Sequence, residues 1–107
     1  MILPLAWWRR RKPEPWGEGP AAPVVVELFG RPGCHLCEEA EAVVTAVSER
    51  LAGRVRLELR HTDITSDPDL ERRYGERIPV VTVAGRLHAE WRVDPGRLER
   101  ALLRAAG

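Results

Sequence analysis

From Val24 onward the apolar residues follow two periodicities, and the switch between them falls across Cys34-His35-Leu36-Cys37. Val24-Val25-Val26-Glu27-Leu28-Phe29 is a nearly continuous β-branched and apolar run, as in a strand covered on both faces. Gly30-Arg31-Pro32-Gly33 breaks it. Leu36, Ala40, Val43, Val44, Val47 and Leu51 then recur at helical spacing, with Glu38, Glu39, Glu41 and Arg50 off that stripe and Gly53 as a closing residue. A strand therefore delivers Cys34 to the first turn of a helix. Unpaired backbone N–H groups and the helix dipole favour a thiolate there. Cys37 lies one turn further along the same face, within reach of the first sulfur. The pair reads as a thiol–disulfide redox couple.

The rest of the chain continues the alternation. Val55, Leu57 and Leu59 alternate with Arg56, Glu58 and Arg60, the pattern of a half-buried strand at a sheet edge. Asp67-Pro68 and Asp94-Pro95 each offer an N-cap followed by proline at the first helical position. The first opens a short helix ending near Tyr74-Gly75, the second a C-terminal helix burying Leu98, Ala101, Leu102 and Ala105. Between them Val80 to Val83 and Leu87 to Trp91 flank Ala84-Gly85-Arg86, a hairpin turn. The order is βαβαββα, an α/β chain with a mixed four-stranded sheet and helices packed on both of its faces.

Charge and cysteine usage narrow the function classes. Arg9, Arg10, Arg11 and Lys12 hold four of the 17 cations, leaving 13 against 16 acids elsewhere. A mildly acidic domain is not a nucleic-acid binder. Two cysteines do not make a disulfide-rich secreted scaffold, so a reducing, cytoplasmic compartment is expected. Residues 1–23 differ in kind. Met1 to Trp8 is apolar but too short to cross a bilayer, its charges follow rather than precede it, and six prolines and glycines come next. A flexible or loosely docked tail is expected, with weak membrane contact through residues 1–12 as the alternative to an inert one, ahead of one folded domain over residues 24–107.

Three features carry a resemblance to the thioredoxin-fold superfamily, and within it to small bacterial glutaredoxin-like proteins. Cys34-His35-Leu36-Cys37 stands at a strand-to-helix junction with basic Arg31 three residues ahead; Ile78-Pro79-Val80 precedes the third strand; and the element order matches over residues 24–107. The resemblance implies a thioredoxin-like fold, a cis Pro79 facing the two cysteines, and an Ile78 backbone that pairs with an incoming substrate strand. Cys34 would be the nucleophile and Cys37 the resolving thiol, acting on protein disulfides or glutathione mixed disulfides, with a thiol reductant recycling a monomeric enzyme. No resident cofactor or metal is expected, glutathione being a candidate co-substrate.

Free cysteine titrates near about 8.5, and helix N-termini or cationic neighbours bring it to about 3.5–7.5. Arg31 and protonated His35 push that way, while Glu38, Glu39 and Glu41 push back. His35 is either a thiolate-stabilising group or a solvated first-turn residue; His61 and His88 read as strand-end polar side chains without chemical role. The chain departs from its relatives in three places. His35 stands where glutaredoxins commonly have proline, Ala89-Glu90-Trp91-Arg92 replaces a Gly-Gly pair that helps bind glutathione, and Gly33 stands where thioredoxins have tryptophan. Two other function classes compete. Cys34 and Cys37 with a histidine, or a cluster shared between two chains, would hold a metal, although one C-x-x-C is half of a tetrahedral zinc site. A non-catalytic interaction domain would leave the thiols idle.

Overall fold

A computed structural model describes residues 22–107. Its elements are β1 (Val24–Gly30), α1 (His35–Arg50), β2 (Leu57–Asp63), a single 3₁₀ turn (Ile64–Ser66), α2 (Pro68–Tyr74), β3 (Val80–Val83), β4 (Arg86–Glu90) and α3 (Pro95–Ala106). The expected tail over residues 1–23 and its membrane contact through residues 1–12 fall outside the described residues, except for exposed Ala22 and Pro23. No helix among the described residues is long and apolar enough to cross a membrane.

The four strands form one sheet in the order β2-β1-β3-β4, with β1 parallel to β2 and antiparallel to β3, and β3 antiparallel to β4. A parallel β1–β2 pair needs a crossover, which α1 supplies. On one face Val24, Val26 and Leu28 of β1 and Val81 and Val83 of β3 meet Ala40, Val44 and Val47 of α1 and Leu98 and Leu102 of α3. Burying each such side chain contributes about 1.5–3 kcal/mol. On the other face Phe29 meets Tyr74 of α2 with ring centroids 4.8 Å apart.

Several expectations are corrected by this packing. Burial along β1 alternates, with Val25, Glu27 and Phe29 only half-buried, because α2 is seven residues long and buries none of its own side chains. The buried stripe of α1 passes through Cys37 rather than Leu36, which is half-buried. The helix is capped at Leu51, two residues before Gly53. Ala105 is exposed over a groove at the Val24 end of β1, and Leu103 packs on the core instead. His61 and His88 are internal to β2 and β4, not at strand ends. β2 holds the sheet edge, as its period-2 pattern implies.

Candidate functional site

Cys34 is the N-cap of α1, in extended backbone, and its Sγ accepts a hydrogen bond from the Cys37 amide at 3.1 Å. The two cysteines are paired as a disulfide with Cα atoms 5.2 Å apart. Their environments differ. Cys34 is half-buried at the helix end, whereas Cys37 is 8% exposed and packs into the core. A first-turn amide aimed at Cys34 Sγ is the interaction that stabilises an anion at a helix N-terminus once the disulfide opens. Gly33, at φ +78°, turns the chain from β1 into α1.

The neighbouring charges are arranged in ways the sequence did not specify. Arg31 Nη2 donates to Glu71 Oε2 at 3.2 Å and to the Gly75 carbonyl at 3.3 Å. Its guanidinium thereby ties the strand-to-helix loop to α2, with one carboxylate already on it. The His35 side chain is 82% exposed, with Nε2 3.1 Å from Glu39 and Nδ1 4.0 Å from Glu38. Imidazole and glutamates on the same helix face each other.

Ile78-Pro79 is a cis peptide bond. Val80 opposite Phe29 brings the start of β3 to the end of β1, the end from which Cys34 follows. Ile78, Pro79 and Val80 therefore share one end of the sheet with Cys34, Cys37 and Arg31. The Pro79 carbonyl accepts from the Trp91 backbone N–H at 2.9 Å, and Trp91 Nε1 donates to the Glu76 carbonyl at 3.1 Å. Trp91 holds φ +66°, backbone that glycine adopts freely. Glu90 accepts from Arg77 at 2.9 Å, which neutralises it locally.

Beside the disulfide, on the β2 side, lies a cavity of about 250 Å³ bordered by Leu28, Gly30, Cys37, Glu41 and His61. By sequence Glu41 carries only a weak opposing charge near Cys34 and His61 no chemical role; the structure places both beside Cys37. Glu41 is four residues after Cys37 and His61 has the strand parity of Leu57 and Leu59, but neither spacing by itself joins them. Among the described residues no group of three or more His, Cys, Asp or Glu side chains is placed to hold a metal ion.

Known proteins resemble this arrangement throughout the described domain. Residues 25–103 match the family model described as glutaredoxin-like domain (DUF836). An uncharacterized protein of Mycobacterium tuberculosis is 35% identical over 81 residues, spanning 75% of this chain and 84% of that protein. An X-ray structure of a protein from X. campestris is similar with a TM-score of 0.58 at 34% identity, covering 77% of this chain and 99% of its own. A Nitrosomonas europaea protein solved by NMR gives a TM-score of 0.65 at 26% identity, covering 77% and 94%. Chloroplastic thioredoxin z, 18% identical, shares the fold with a TM-score of 0.58 over 79% of this chain and 80% of its own. With this family match over most of its length and this sheet order, the chain belongs to the glutaredoxin-like domain family and has a thioredoxin-like fold.

Proposed function

We propose that this protein is a thiol–disulfide oxidoreductase that exchanges disulfides through Cys34 and Cys37. The asymmetry of the pair carries the reading: Cys34 accepts a first-turn amide at the helix end, and Cys37 is packed beneath it. In the reduced protein the Cys34 thiolate attacks a substrate disulfide, releasing one thiol and forming a mixed disulfide. Cys37 then displaces the second thiol and restores the Cys34–Cys37 bond. Its substrates are protein disulfides or glutathione mixed disulfides, and a thiol reductant closes the cycle. Ile78 next to cis Pro79 offers backbone for a substrate strand. Arg31 already bonds Glu71, so the helix end is the main support for the thiolate and Arg31 a secondary one.

Two measurements test this. Alkylation of the reduced protein across pH should give Cys34 an apparent pKa below the ~8.5 of a free thiol. A Cys37→Ser variant should accumulate mixed disulfides with protein substrates, and Cys34→Ser should form none. Two thiols as weakly acidic as free cysteine, with no trapped species, would overturn the reading.

A further inference from the structure

The resolving step needs a thiolate at Cys37, and Cys37 lacks what Cys34 has. Its sulfur is buried against Gly30 and the apolar face of β1, where burial disfavours the anion. Something must take its proton. The cavity bordering Cys37 is the place to look, and its charged lining sorts itself. Arg31 has no acceptor atom. Asp63 is held below the usual carboxylate range by the Thr65 hydroxyl and backbone N–H, which its Oδ1 accepts at 2.7 and 2.9 Å. Glu38 is largely exposed and turned toward His35. From β1 only Leu28 and Gly30 line the space. Glu41 and His61 remain, 3.4 Å apart between Oε1 and Nε2, one from α1 and one from β2.

We propose that the Glu41–His61 pair is the proton acceptor for Cys37 in the resolving step, a role that rests on reading Cys34–Cys37 as the redox couple. The proton leaves Cys37 Sγ through the cavity for the pair, and its acceptor atom is an imidazole nitrogen of His61. Glu41, on the Cys37 face of α1, orients that imidazole and balances the charge it gains. The Cys37 thiolate attacks Cys34 Sγ of the mixed disulfide. The Cys34–Cys37 bond forms, the bond from Cys34 to the substrate sulfur breaks, and the departing thiolate takes the proton back from the pair or from water. Two electrons pass from the dithiol to the substrate.

An aromatic disulfide, 5,5′-dithiobis(2-nitrobenzoate), separates the steps in a stopped-flow experiment on the full chain. Attack by Cys34 releases the first coloured thiol and resolution by Cys37 the second. Glu41→Gln and His61→Gln should not slow the first phase, since removing the Glu41 charge can only ease ionisation of Cys34. Each should slow the second about tenfold or more near pH 7, a modest share of the usual general-base contribution of about 10²–10⁴. The deficit should vanish as pH rises and Cys37 ionises unaided. The double variant should be no slower than the worse single one, since the two act as a unit. A second phase that keeps its wild-type rate from pH 6 to 9, or a first phase slowed by the same factor, would overturn the proposal. Loss of the first phase in the wild-type protein would instead overturn the oxidoreductase reading itself.

Discussion

Gly30 and Cys37 leave no room between them: a Cβ placed on Gly30 would lie 2.7 Å from Cys37 Sγ and 3.3 Å from its Cβ. The last residue of β1 is therefore part of the sulfur's binding surface. This close approach lets the first turn of α1 sit directly on the sheet, with the resolving thiol pinned between them.

Gly30→Ala is expected to lower stability by about 1–3 kcal/mol, the usual range for overpacking a filled interior. Alanine would otherwise gain roughly 0.5–1 kcal/mol over glycine inside a strand, so a net loss means the steric conflict dominates. Urea denaturation of the oxidised protein measures it. An unchanged midpoint would mean that Cys37 can retreat from β1.

Asp94 caps α3 by accepting the Arg97 N–H at 2.8 Å, with Pro95 at the first helical position. That helix carries Leu98 and Leu102, both fully buried. Asp94→Ala should cost about 1 kcal/mol, within the range of roughly 0.5–2 for losing such a cap. Asp94→Asn should retain most of the stability, because the oxygen and not the charge makes the bond. Thermal melts of the two variants discriminate; equal losses would point to charge instead.

The elements were legible wherever one local rule governed them. Both Asp-Pro pairs start helices, and the alternation of Leu57 and Leu59 marks an edge strand. What escaped depended on partners. The β-branched run of β1 does not reveal that α2 is too short to cover Val25 and Glu27. Sequence proximity sets Arg31 beside the sulfur, yet its guanidinium reaches 40 residues along the chain to Glu71. The cysteines announced themselves by spacing and context. Glu41 and His61 did not, because only the packing of α1 over β2 makes a charged helix residue and a strand histidine neighbours of one cavity.

The β3–β4 turn offers a position to improve. Ala84 and Gly85 both hold positive φ, +52° and +82°, as a two-residue type I′ connection requires. Alanine pays about 1–2 kcal/mol for left-handed backbone, and Ala84 is exposed with nothing to lose. Ala84→Asn, giving the favoured Asn-Gly pair, should stabilise the protein by about 0.5–1 kcal/mol. A higher melting temperature with an unchanged first phase of thiol release is the expected result.

His88 sets a pH dependence of folding. It is half-buried in β4, and its Nε2 is buried with no hydrogen-bond partner among the described residues. Burial pushes its pKa below the ordinary 6.5; the cations of Arg97 and Arg104 add to this, and Asp94 opposes it. The unfolded chain, with an ordinary histidine, therefore binds more protons than the native state between the folded pKa and about 6.5. Stability from this group is intact above that window, falls as pH drops through it, and levels off below the folded value. His88→Gln removes this titrating group. The stability of the wild-type protein relative to His88→Gln should therefore decline between pH 7.5 and 5.5, measured by urea midpoints at each pH. Comparing the two proteins cancels the contributions of His35 and His61, which stand beside Glu39 and Glu41 in both. A constant difference across that range would mean that His88 is solvated enough to titrate normally.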